Sequence, residues 1–135
     1  MSREVRVLIL DDEQIVCDRL KPALEKLGFV AEAYTDSDQA VARLAAQRFD
    51  VMVTDLKMPG VGGMDVLAFA RKHSPATKVI VITGFATTET AERVLAQGAV
   101  EFIPKPFKMR QLRDLVVRLA QNLPGQASES KKDSE

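Results

Sequence analysis

The chain has 135 residues, 46% of them hydrophobic and 28% charged, the proportions of one soluble globular domain with a single core. Its 19 basic and 19 acidic residues cancel, so no global field calls for direct nucleic-acid binding or for adsorption to an anionic membrane. The single cysteine, Cys17, excludes an internal disulfide and a cysteine metal cluster, and no stretch approaches the ~20 apolar residues of a membrane span.

The N-terminal MSREVRVLIL carries only a short apolar run before two aspartates, so no signal peptide is expected and the expected compartment is the cytoplasm. The first β-branched run is Val5–Leu10. It leads into a helical stretch, Glu13–Leu27, whose Val16, Leu20, Leu24 and Leu27 share a stripe and whose Cys17 reads as core filling. Pro22 interrupts that stretch, which predicts a bent helix. Gly28 follows, where a left-handed C-cap is expected, and then a second strand, Val30–Tyr34.

The second helical stretch sets Ala40, Val41, Leu44 and Ala45 on one face, with Asp36 and Gln39 spaced as a capping box. Strands are expected at Val51–Thr54, Val79–Thr83 and Phe102–Ile103, with helical stretches between them, and Gly98 is placed as a second C-cap glycine. The lone His73, near the end of the third helix, reads as a surface residue and marks no phosphodonor. The last helix is the clearest: Leu112, Leu115, Val116, Leu119 and Leu123 form one stripe, with Arg110, Arg113 and Arg118 off it. After it, PGQASESKKDSE has no apolar periodicity. The expected organisation is one domain over 4–123, then a disordered tail or severed linker over 124–135.

Alternating strands and helices imply a three-layer, doubly wound (βα)5 α/β fold with a parallel sheet covered on both faces. The nearly continuous apolar runs VLIL and VIVIT are what strands buried on both sides require. For five strands the flavodoxin-like order 2-1-3-4-5 is favoured, which makes the fifth strand an edge where Pro104 is tolerable.

Ligands in such sheets bind beyond the carboxyl ends of the strands. The first strand ends in Asp11-Asp12, the third in Asp55, the fourth in Thr83, and the fifth runs into Lys105, which the segment FIPKPF (102–107) brackets with prolines. Each has a plain structural reading: an N-cap for Asp11 or Asp12, a turn opener for Asp55, a strand end for Thr83, a solvated charge for Lys105. Together they place three carboxylates, a hydroxyl and an ammonium on one rim. Three close carboxylates repel unless a cation neutralises them, and oxygen-only ligands select a hard ion such as Mg²⁺. The lysine and hydroxyl would then suit the remaining oxygens of a phosphoryl group, with Asp55 on the central strand the best candidate nucleophile.

The segments LILDDE (8–13), VTDLKMPG (53–60), VITG (81–84) and GAVEFIPKPF (98–107) together resemble the receiver domain of two-component response regulators, over residues 4 to about 122. The resemblance implies that Asp55 accepts a phosphoryl group from the phosphohistidine of a sensor histidine kinase or a histidine phosphotransfer domain. It implies Mg²⁺ (or Mn²⁺) held by Asp12, Asp55 and the main-chain carbonyl of Lys57, with Asp11 acting mainly through water. Thr83, Gly84 and Lys105 would stabilise the phosphoryl group, and Pro106 matches the family's cis-proline. Thr83 and Phe102 would form the switch that remodels the face made by the fourth helix, the fifth strand and the fifth helix toward an output domain or partner protein. Such a domain is a phosphoacceptor module, not an enzyme, although self-phosphorylation from small donors and autodephosphorylation are expected of it.

Departures from the family pattern bear on these implications. The loop Met58-Pro59-Gly60-Val61-Gly62-Gly63 carries Gly62 where an aspartate is usual, which leaves the start of the third helix less defined. Phe102 replaces the commoner tyrosine, so no hydroxyl is available there. Lys57 and Phe85 occupy the positions that tune phosphoryl lifetime. A bulky Phe85 ring would hinder the attacking water, so Phe85→Ala should shorten the dephosphorylation half-life; an unchanged half-life would contradict this. A phosphorylation-dependent homodimer is compatible with the family, but Val100-Glu101 offers one acid where winged-helix regulators carry two.

Two other classes are disfavoured. A flavodoxin-like FMN carrier needs a phosphate cradle after the first strand, where the acidic LDDE stands instead. A haloacid-type phosphatase needs a second aspartate two residues beyond its nucleophile, where Lys57 stands. A GxGxxG nicotinamide site is absent.

Overall fold

A computed structural model describes residues 4–56, 62–84 and 86–121. Five strands alternate with five helices: β1 (Arg6–Leu10), α1 (Gln14–Glu25), β2 (Val30–Tyr34), α2 (Ser37–Ala46), β3 (Val51–Asp55), α3 (Gly63–His73), β4 (Lys78–Thr83), α4 (Thr88–Ala96), β5 (Glu101–Pro104) and α5 (Met109–Ala120). All strand pairs are parallel, in the order β2-β1-β3-β4-β5. The fold is therefore the doubly wound α/β arrangement expected from the alternation of periods.

The period-2 alternation of the strands divides the core in two. Val7 and Ile9, Val51 and Val53, Ile80 and Ile82, and Ile103 face α1 and α5, against Val16, Leu20, Leu24, Leu112 and Val116. Leu8 and Leu10, Met52, Val79 and Val81 face the other helices, against Ala40, Leu44, Val66, Leu67, Ala70 and Val94. Strands β1, β3 and β4 are buried on both faces, which fixes the sheet rigidly beneath its C-terminal rim.

The helix ends show where local chemistry was readable. Asp36 caps α2, but its side chain accepts from the Asp38 amide at 2.9 Å rather than from the Gln39 amide that a capping box would use. Gly28 and Gly98 take φ of 92° and 107°, the left-handed region expected after α1 and α4. Helix α1 runs through Pro22, whose ring lies on the exposed side, and the turn beyond it is closed by the Lys26 amide on the Pro22 carbonyl at 3.0 Å. Leu27 does not join the stripe of Val16, Leu20 and Leu24. The helix ends at Glu25 and the chain turns toward Gly28, leaving Leu27 exposed. Ala45 of α2 is likewise exposed, and Leu123 and the expected tail lie outside the described residues.

Candidate functional site

The C-terminal ends of β1, β3, β4 and β5 form one rim. Asp11 follows β1 and is wholly buried. Its amide donates to the Tyr34 carbonyl at 3.1 Å, continuing the ladder one residue past the strand. Its Oδ1 accepts the Glu13 amide at 2.8 Å, so Asp11 stabilises the turn into α1 but is not the helix cap; that position belongs to Glu13. Asp12 is exposed beside it. Asp55 ends β3 and is buried, 4% accessible. One oxygen from each of Asp11, Asp12 and Asp55 lies within 4.8 Å of the others.

Lys105 reaches this cluster from beyond β5. Its amide donates to the Thr83 carbonyl at 2.8 Å, which ties the strand end to β4, and the Lys105–Pro106 peptide is cis. The ammonium lies 3.0 Å from Asp55 Oδ2, 2.8 Å from Glu13 Oε1, and 3.2 and 3.0 Å from Asp11 Oδ1 and Oδ2. Three carboxylates thus surround three ammonium hydrogens. Burial alone would lower the lysine's pKa. Hydrogen bonds to Glu13, Asp11 and Asp55 outweigh it and hold the side chain firmly protonated.

Asp11 is the strained member of the cluster. Burial pushes its pKa from 3.8 to about 6, against the stabilising Glu13 amide and Lys105 ammonium, and repulsion from Asp55 pushes the same way. Its Oδ2 is buried and receives no directed hydrogen bond, although Lys105 lies close. A buried anionic oxygen without a donor, next to two further carboxylates, fits a hard divalent cation bound through oxygen.

Thr83 and Phe102 sit on the opposite side of the sheet from Val53 and Ile103. Thr83 is buried at the end of β4, two residues beyond Val81, whose partner in β5 is Phe102. Phe102 is half-buried, packed against the α2–α4 side of the core, and lines a surface cleft with Gln111, Asp114 and Arg118 of α5. Phe107 packs into the α1–α5 side. Gly84 is exposed and lines an open groove of about 490 Å³ with Glu13, Ile15, Arg19, Lys105 and Met109. Lys57 and Phe85 lie outside the described residues.

Two contributors have no assigned part in the sequence reading. Glu13 stands inside LILDDE, but its reach to Lys105 across the strand order is visible only once β1 and β5 are folded onto one rim. Gly63 donates its amide to the Leu56 carbonyl at 2.9 Å, and a Cβ there would overlap the Leu56 backbone. The pair Gly62-Gly63 was the available signal.

A five-stranded parallel sheet of this order thus carries an acidic cluster and a lysine at its C-terminal rim. The family model for the response regulator receiver domain matches residues 7–117, and the chain belongs to that family. It is 32% identical over 116 residues to the response regulator protein PilR of Pseudomonas aeruginosa, covering 86% of this chain and 26% of that protein. It is 34% identical to the regulatory protein AtoC of Escherichia coli over 116 residues, 86% of this chain and 25% of that one. The chain thus spans about a quarter of the length of these two relatives. Among solved structures, a CheY-like receiver domain protein from Methanospirillum hungatei superposes with a TM-score of 0.81 at 31% identity, covering 94% of this chain and 99% of that one. Among the described residues, no helix is long and apolar enough to cross a membrane.

Proposed function

We propose that this receiver domain accepts a phosphoryl group on Asp55 from the phosphohistidine of a sensor histidine kinase or phosphotransfer domain, in a reaction dependent on Mg²⁺. The observation that carries the reading is the 3.0 Å contact between Lys105 Nζ and Asp55 Oδ2, beside the buried Asp11 and the exposed Asp12. An Asp55 oxygen attacks phosphorus, the P–N bond breaks, and the electron pair leaves with the imidazole. Lys105 supplies positive charge to the equatorial oxygens, and the rigid sheet keeps its ammonium in place as charge develops. Asp11, Asp12 and Asp55 are the residues that would hold the cation, with the Lys57 carbonyl proposed as a further ligand. The cation, when bound, neutralises the cluster and screens the incoming phosphate.

Thr83 is proposed to move toward the phosphoryl group and Phe102 to turn inward in response, altering the face made by α4, β5 and α5. Their shared side of the sheet supports that coupling. The open groove beside Lys105 offers a phosphohistidine partner an approach. The partner regulated by the altered face would be an output domain or separate protein, in a cytoplasmic setting, with no direct nucleic-acid or membrane contact by this domain. Incubation with Mg²⁺ and phosphoramidate should add one acid-stable, base-labile phosphoryl group to the chain. Asp55→Asn should abolish the addition, and equal labelling of that variant would refute the assignment.

A further inference from the structure

We propose that Glu13 is a latch on Lys105, holding the ammonium until an incoming phosphoryl oxygen displaces it; this rests on the assignment of Asp55 as phosphoacceptor. The ammonium has three hydrogens, and its three carboxylate partners occupy them. A phosphoryl oxygen can gain a direct bond from Lys105 only if one partner lets go.

The three partners are not equally able to do so. Asp55 is the attachment point and stays in place. Asp11 is fully buried and its Oδ1 is held by the Glu13 amide, so losing Lys105 would leave its buried charge with a single backbone hydrogen bond and no neighbouring cation. Glu13 has the shortest contact, 2.8 Å, but its side chain is 58% exposed, so water takes over its carboxylate on release. Its side chain makes no capping bond to α1, although Glu13 occupies the N-cap position. The carboxylate is therefore committed to Lys105 rather than to the helix, and it is the partner that leaves.

Glu13→Gln removes the charge and keeps the shape. A partly exposed ion pair of this kind changes a rate constant by only about two- to fivefold. The variant should therefore be phosphorylated by phosphoramidate and Mg²⁺ about two- to fivefold faster than the unmodified chain. A general field effect on the anionic donor would give a similar gain, so the comparison is repeated in a Lys105→Met background. A latch acting through Lys105 predicts no gain there, whereas a gain of equal size would overturn the proposal, as would an unchanged or slower rate with Lys105 present.

A second readout does not depend on phosphorylation. In the metal-free chain, the Lys105 ammonium protons should exchange with water faster in Glu13→Gln, seen as a broadened ammonium ¹⁵N–¹H NMR signal. An unchanged signal would sink the latch even if labelling succeeds. A chain that takes no label but shows the broadening would instead refute the phosphoacceptor reading and leave the Glu13–Lys105 contact established.

Discussion

Asp11→Asn should make the metal-free protein more stable by about 2–3 kcal/mol at neutral pH while weakening its binding of Mg²⁺ at least tenfold. The stability gain follows from the raised pKa of Asp11, 3.8 to about 6, caused first by burial and then by Asp55. Between these two values the folded protein binds more protons at Asp11 than the unfolded chain does. Ionised Asp11 therefore costs stability, fully above about pH 6, progressively less as pH falls, and not at all below about pH 4. The metal-free protein should accordingly gain stability from this group on acidification from pH 7 to 5, and Asp11→Asn should flatten that part of the profile. Chemical unfolding across this range, with and without Mg²⁺, is the measurement. A variant less stable than the parent at pH 7 without metal would show that Asp11 stabilises the fold through Lys105 rather than straining it.

Gly63→Ala should cost about 1–3 kcal/mol or more, the range for added volume that forces the backbone to shift. Its Cβ would overlap the carbonyl oxygen, carbonyl carbon and Cα of Leu56, none of which can rotate away as a side chain would. The same approach is what allows the Gly63 amide to bond the Leu56 carbonyl one residue beyond Asp55. Gly62→Ala is the matched control. Its Cβ would meet Asp65 Oδ2 at 3.9 Å, an ordinary contact, so only the weaker N-cap preference of alanine is expected, about 1 kcal/mol or less. Urea denaturation midpoints of the two variants should separate clearly; indistinguishable midpoints would mean that the start of α3 shifts freely.

The sheet was legible because buried parallel strands need continuous apolar runs, and VLIL and VIVIT have few other uses in a soluble domain. Strand order then carried Asp11, Asp55, Thr83 and Lys105 to one rim without any contact being visible in the sequence. What local pattern could not supply was the exact end of each periodic stripe. Leu27 sits at helical spacing, but the helix stops two residues earlier because the chain must turn at Gly28 to reach β2. Glu13 escaped for the complementary reason. Its partner is 92 residues away, and an exposed glutamate after two aspartates looks like a solvated charge until β5 is folded beside it. Gly63 needed the position of Leu56, a contact across a loop, to become more than a flexible residue.

Asp55, the proposed phosphoacceptor among the clustered acids, can be located directly. Treatment of the phosphoramidate-labelled chain with borohydride reduces an aspartyl phosphate to homoserine, and peptide mapping then locates it. Homoserine is expected at position 55 alone, formed only when Mg²⁺ accompanied the donor. Homoserine at Asp11 or Asp12, or none at all from a labelled chain, would contradict the assignment.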